Sequence, residues 1–433
     1  MTDTALMTDR YELTMIDAAM RSGTAFRPSV FEVFARRLPG ARRYGVVAGT
    51  GRFLERVAEF RFGDAELTFL RNAEVVSGDL LDWLADYRFS GSIRGYAEGE
   101  LYFPGSPILV VEGSFAEAVV LETVALSVLN YDSAVANAAT RMTRAARDRP
   151  VAEMGSRRAS EEAAIAAARA AYIAGFSATS NLAAGARWGI PTMGTAAHSF
   201  TLLHDSEAAA FQAQIETHGV GTTLLVDTYD IEQGIRTAVE IAGTELGGIR
   251  LDSGDLAEVA GEARALLDSL GATGTRITVT SDLDEYAIAG LQASPVDAYG
   301  VGTSVVTGSG APAAGMVYKL VARQGDDGEW VGVAKHSENK ASKGGEKVAA
   351  RRLHEGIAVE ETVLLGEGAL EDAAIDGRAL QVPLVTDGEI DERWLGAAGV
   401  EAARERHALS VAELPADAHR LARGEPAIPT VFR

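Results

Sequence analysis

Between Val151 and Thr307 the chain repeats one pattern: a short β-prone run, a small or acidic cluster, then a helical stretch. The runs close in "VAEMGS", "GFSATS", "IPTMGTAAHS", "TTLLVDTYD", "GGIRLDSGD", "RITVTSD" and "VDAYGVGTS", and helical sequence such as "IEQGIRTAVEIAG" and "LAEVAGEARALLDSL" separates several of them. Strands alternating with helices imply parallel βαβ units, because a parallel neighbour is reached only through a crossover. About seven such units in succession fit a closed or nearly closed β/α barrel better than an open sheet. Barrel sites form where the strands end, at the C-terminal face. His198, Asp227, Asp252, Asp282 and Gly302 all fall at such ends.

The flanking sequence reads differently. The first 115 or so residues carry "SVFEVFARRLP", "RYGVVAGTGRFLERV" and "GSIRGYAEGELYFPGSPILVVEGSF", short strands broken by Gly/Pro turns, and so a mixed, mainly β domain. A helix-rich connection, "AEAVVLETVALSVLNYDSAVANAATRMTRAARD", leads into the barrel. The expected fold is α/β: an irregular, TIM-like β/α barrel over residues 116–325, with the N-terminal domain at 1–115. A C-terminal segment, 326–433, carries a Lys-rich loop and is expected to pack with the N-terminal domain. The Ala-rich "EEAAIAAARAAYIAGF" reads as a helix with Ser160 as N-cap, acids in its first turn and Gly175 near its end.

Composition limits the chemistry. None of the 433 residues is cysteine, which removes disulfides, thiolate zinc sites and thiol nucleophiles. The net charge of −21 repels nucleic acid and anionic membranes, so a polyanionic small substrate needs a local basic or magnesium-assisted pocket. The N-terminal "MTDTALMTDRYELTM" lacks a signal-type apolar core. No later segment approaches the roughly 20 apolar residues of a membrane span. With 47% hydrophobic and 23% charged residues, the expectation is a soluble cytoplasmic protein with no nucleic-acid or membrane partner.

Several residues could carry a reaction. Asp227, Asp252 and the Ser281–Asp282 pair lie where apolar strands end. They could cap the helices that follow, or together bind a ribose diol, stabilise a cation-like sugar carbon or hold magnesium. Arg250 shares a strand face with Asp252 and needs an anion, either that aspartate or a substrate carboxylate. Arg157 and Arg158 follow the first strand, where a solvated helix start competes with a binding role. The loop "YGVGTSVVTGSGAP" offers Gly302 and Thr303 backbone N–H groups of the kind that cradle phosphate. In "KHSENKASKGGEK", Lys335, Lys340 and Lys343 form either a solvated loop or a mobile polyphosphate lid. No second His lies near enough to His198 in sequence to share a metal, and the chain has no Cys, which argues against a metal site. Oriented by Asp227, it could act as base or nucleophile.

The motifs "TDRYELTM", "VFEVFARRLP", "GSRRA", "ATSNLAAGARWGIPTMGTAAHSF", "LLVDTYD", "IRLDSGDL", "TVTSDLDEY" and "GVGTSVVT" to "APAAGMVYKLV" occur together and in order. In this the chain resembles nicotinate phosphoribosyltransferases, of type II phosphoribosyltransferase fold, from about Thr8 to the Lys-rich loop, and more distantly nicotinamide phosphoribosyltransferase. The resemblance implies condensation of nicotinate with phosphoribosyl pyrophosphate to nicotinate mononucleotide and pyrophosphate in NAD salvage. It also implies coupling to hydrolysis of ATP, as magnesium complexes, through a phosphorylated histidine matching His198. By the same likeness Asp227 orients His198, and Arg250 with Asp252 sits against base and ribose. Ser281 and Asp282 take ribose hydroxyls, Gly302 and Thr303 the 5′-phosphate. Arg157 faces the pyridine or its carboxylate, and Ser199, beside His198, contacts substrate. Tyr11 stacks on the pyridine, from the neighbouring subunit of a homodimer with shared active sites. One departure stands out: Met154-Gly155 replaces the family's usual Phe-Gly, leaving a thioether where an aromatic ring would stack.

Three other readings stand beside this one. A catalytically dead sensor or scaffold would keep the fold and lose some of the charged strand-end residues, and none is missing here. A phosphoribosyltransferase for nicotinamide or quinolinate would need the same sugar site and a different pyridine pocket. A metal-dependent barrel hydrolase would need more strand-end histidines than this chain has.

Overall fold

The computed structural model describes residues 5–335, 343–366 and 377–433. The chain divides into two units, one of residues 1–137 and 311–433, the other of 138–310. These limits differ from the sequence expectation, which placed boundaries at 115/116 and 325/326. Hydrogen bonding explains the second difference. Strand Met316–Gln324 pairs antiparallel along Pro28–Ala35, from Ser29 opposite Arg323 to Ala35 opposite Met316.

The first unit is built on a seven-stranded sheet. In spatial order its strands are Trp330–Gly332, Met316–Gln324, Pro28–Ala35, Leu109–Ser114, Ser92–Tyr96, Gln381–Thr386 and Glu389–Ile390, every neighbour antiparallel. Alternation along "PSVFEVFA" sends Phe31, Val33 and Ala35 into the main core and Val30 into a second cluster with Val110, Val321 and Ala322. Phe31 stacks on Tyr318 at 5.1 Å, and full burial of a side chain of this size contributes about 1.5–3 kcal/mol.

One segment, Phe115–Ala146, is long and apolar enough to cross a membrane by length and composition, which corrects the expectation that none is. Most of its apolar window is buried inside the protein. Its polar residues are used there too. Asn137 accepts the Val46 N–H at 2.6 Å, and Ser133 accepts that of Ala48 at 3.1 Å.

Helix Arg10–Ser22 buries Leu13 and Ile16 and ends at Gly23, whose φ of +76° favours glycine. The same helix buries Glu12, which accepts hydrogen bonds from the Thr8 hydroxyl and from the N–H and hydroxyl of Thr123. Burial outweighs those donors, and with Glu122 nearby the carboxyl is pushed up to about 7 from 4.5. A folded-state pKa above the unfolded one means the protonated form fits the fold. Its contribution is therefore whole below about 4.5 and lost as pH rises through about 7. Glu12→Gln cannot ionise. Melting curves at stepped pH are expected to show equal Tm for both proteins near pH 4.5 and a wild-type deficit of a few degrees above pH 7.

The second unit contains a six-stranded sheet, all parallel, in the order Ala178–Thr179, Val151–Glu153, Ala298–Val301, Arg276–Val279, Gly248–Leu251, Thr223–Leu225. Six of the seven runs read from the sequence are thus strands. The seventh, at "IPTMGTAAHS", contributes one parallel bridge, Thr192 to Thr179. Among the described residues no ladder joins that end of the sheet to Thr223–Leu225. The Ala-rich helix runs Glu161–Ile173 after Ser160, whose side chain makes no capping bond, and stops before Gly175 at φ +109°.

Candidate active site

The six strands of this sheet all run parallel, so every exit lies at the same end of the array. Three exits carry two acids apiece, and the pairs divide the work. Asp230 Oδ1 accepts the Gln233 N–H at 2.8 Å and caps Ile231–Ala242. Asp255 caps Leu256–Ser269 through the N–H groups of Ala257 and Glu258. Asp284 caps Glu285–Gly290 through those of Tyr286 and Ala287. The capping alternative left open by the sequence is satisfied by these second acids. Asp227, Asp252 and Asp282, each nearer its strand, cap none of the three helices.

One pocket is lined by the strand exits. Met154, Arg157, Arg158, Arg250, Asp252, Ser281, Asp282, Gly302 and Thr303 all face it, with Thr195. His198 stands beside it as the first residue of helix His198–Leu203. Its Nε2 lies 3.9 Å from Asp227 Oδ1 and 3.9 Å from Asp252 Oδ2, and its side chain is 41% exposed, open to a reactant. Asp227 has a fully buried side chain. Its Oδ2 accepts the N–H of Asp252 at 2.7 Å and the hydroxyl of Ser253 at 2.8 Å, while Oδ1 has no hydrogen-bond partner. Asp252 is held by the Thr280 hydroxyl.

Arg250 donates to the hydroxyl of Thr195, and its buried Nε has no partner. Burial pushes its pKa down, and Arg157 adds to this against the opposing pull of Asp252 and Asp227. A desolvated guanidinium with an unused donor in a pocket suits a planar anion such as a carboxylate. Ser281 holds φ at +108°, a strained conformation for a residue with a side chain, at the pocket wall.

Not every expected residue joins this group. Ser199 is exposed and does not line the pocket. Tyr11 belongs to the first unit, where it is 45% exposed. Lys335 and Lys343 also belong to that unit, Lys343 lying 4.0 Å from the centre of the Phe432 ring. Lys340 lies outside the described residues.

Residues 6–130 match the family described as the nicotinate phosphoribosyltransferase (NAPRTase) N-terminal domain. Nicotinate phosphoribosyltransferase pncB1 of Mycobacterium tuberculosis is 55% identical over 98% of this chain and 94% of its own length. The chain belongs to the nicotinate phosphoribosyltransferase family. A second relative, the nicotinate phosphoribosyltransferase of Bacillus subtilis, is 40% identical over 77% of this chain and 70% of its own. The crystal structure of human nicotinic acid phosphoribosyltransferase superposes with a TM-score of 0.81 at 26% identity, covering 98% of this chain and 97% of that one.

Two residues of this nicotinate phosphoribosyltransferase family member escaped the sequence reading. Thr228 places its hydroxyl 3.1 Å from Nδ1 of His198. Glu153, fully buried, accepts the N–H of Gly155 and the hydroxyl of Thr179, and burial pushes its pKa up. Thr179 in turn accepts the Asn181 N–H at 3.0 Å, and Asn181 donates to Ser156 at 2.9 Å. This ring of bonds ties the arginine turn to the neighbouring strand end. An acid closing an otherwise apolar run, "VAE", was its only local signal. Gly155 is required by space: a Cβ there would lie 2.3 Å from Val306 Cγ1 and 2.8 Å from the Gly302 carbonyl. Met154 lines the pocket beside Gly300.

Proposed function

We propose that the chain is a nicotinate phosphoribosyltransferase of NAD salvage, a cytoplasmic homodimer coupled to ATP hydrolysis through a phosphohistidine at His198. The convergence of Arg250, Asp252, Asp282, Gly302 and Thr303 on one pocket beside His198 carries this reading, together with the family relationship. In the transfer, the pyridine nitrogen of nicotinate bonds to the anomeric carbon of phosphoribosyl pyrophosphate. The bond from that carbon to pyrophosphate breaks, and its electron pair leaves with pyrophosphate. Charge at the sugar carbon becomes cation-like, so a carboxylate at the position of Asp252 lowers the barrier. Arg250 and Arg157 take the nicotinate carboxylate, Ser281 and Asp282 the ribose hydroxyls, and the backbone at Gly302 and Thr303 the 5′-phosphate.

Among the described residues no group of three or more His, Asp or Glu side chains is placed to hold a metal ion. In this reading magnesium arrives on phosphoribosyl pyrophosphate and ATP and neutralises the departing phosphates. The six parallel strands and the Thr192 bridge are read as an irregular, TIM-like barrel. Exposed Tyr11 is read as the ring that stacks on the pyridine bound by a second subunit.

Initial rates with the three pyridines test the assignment. Nicotinate is expected to exceed nicotinamide in kcat/KM by at least about 10²-fold, because nicotinamide leaves the arginines without an anion. Quinolinate, with a second carboxylate to desolvate, is expected to be the poorest substrate. A higher kcat/KM for either competitor overturns the choice of substrate.

A further inference from the structure

We propose that Thr228 is a positioning residue for His198: its hydroxyl donates to Nδ1 and holds the imidazole in the tautomer that carries its proton on Nε2. The inference rests on the reading above that His198 is reactive, but its geometry is independent of what the ring attacks. Adjacent residues at one strand exit address both ring nitrogens, Thr228 Oγ1 at 3.1 Å from Nδ1 and Asp227 Oδ1 at 3.9 Å from Nε2.

The tautomer follows from which partners can change role. A neutral imidazole has one N–H and one lone pair, a hydroxyl can donate or accept, and an ionised carboxylate only accepts. Nε2 faces two carboxylates, Asp227 and Asp252. A lone pair there would point at two negative charges 3.9 Å away. Placing the proton on Nε2 removes that repulsion. Nδ1 is then the lone-pair nitrogen, and the Thr228 hydroxyl is the only group hydrogen-bonded to it among the described residues. With the ring otherwise 41% exposed, that bond is what stops it rotating about its Cβ–Cγ axis and presenting the wrong edge.

The test uses the full-length protein labelled with ¹⁵N-histidine, the His198 signals being those lost in His198→Ala. At mildly alkaline pH, wild-type His198 is expected to show the Nε2–H pattern, with Nδ1 shielded by a hydrogen bond. In Thr228→Val, of similar shape but without the hydroxyl, the Nδ1 resonance is expected to move towards its unbonded position. Thr228→Ser restores the hydroxyl and is expected to recover the resonance. An Nδ1–H pattern in the wild type overturns the proposal, as does an unmoved Nδ1 resonance in a folded Thr228→Val or failure of Thr228→Ser to recover it. Failure of the phosphate-carrier reading looks different: no label from ATP on wild-type His198, with the tautomer and the Thr228 dependence of its resonance intact.

Discussion

His198→Ala is expected to take up no acid-labile phosphate from γ-labelled ATP, and the wild type is expected to be labelled at that residue. In the labelling step the neutral ring's lone pair forms a bond to the γ-phosphorus as the bond to the bridging oxygen breaks, and that electron pair leaves with ADP. Alanine has no lone pair to offer, so nicotinate-stimulated ATP hydrolysis should fall to background, a loss of at least about 10²-fold. Nucleotide formation without ATP should continue near the wild-type ATP-free rate, because the sugar and pyridine contacts assigned to Arg250, Asp252 and Asp282 are untouched. His204 provides the mapping control. It lies six residues on, its Nδ1 bonded to the Phe200 carbonyl at 2.8 Å, and His204→Ala should label as the wild type does. Label on any residue other than His198, or full nicotinate-stimulated hydrolysis in His198→Ala, removes the assigned role.

Asp252→Asn is expected to lower kcat by about 10²–10³-fold with a much smaller change in KM for either substrate. The amide keeps the carboxylate's size, and its oxygen can still accept the Thr280 hydroxyl, so the change is one of charge. A charge that stabilises a cation-like sugar carbon acts mainly in the transition state, and its loss therefore appears in kcat. The same carboxylate lies 3.9 Å from Nε2 of His198, so the labelling rate should fall as well. Initial-rate kinetics and single-turnover labelling separate the two effects. A kcat within twofold of wild type would show that Asp252 does not stabilise developing charge.

Much of this site was legible in the sequence because strand exits are marked locally. A run such as "TTLLV" or "GGIRL" closes on apolar residues as it leaves the sheet, and the polar residue that follows, Asp227 or Asp252, falls at the array's end. The capping residues were equally local in principle: "DTYD", "DSGD" and "DLD" each hold a second acid nearer the helix. Local pattern alone does not say which acid of a pair turns to the helix and which to the pocket. That is decided by the backbone path at the exit, which brings the N–H groups of the first helical turn to Asp230, Asp255 and Asp284.

By itself, then, the sequence determined the parallel β/α unit, the polar residue at each exit and the absence of any thiol chemistry, since these depend on residue type and on spacing along a few turns of chain. The tertiary structure alone decided the rest. Strand Met316–Gln324 joined the first unit because it pairs with Pro28–Ala35, about two-thirds of the chain away, and no short-range pattern specifies such a pairing. "IPTMGTAAHS" supplied a bridge and a histidine rather than a full strand. Thr228 acquired a role because folding brought its hydroxyl to one nitrogen of His198 while two aspartates faced the other. Hydrogen bonds and charge contacts act over a few ångströms, so such partners are chosen by distance in space rather than along the chain.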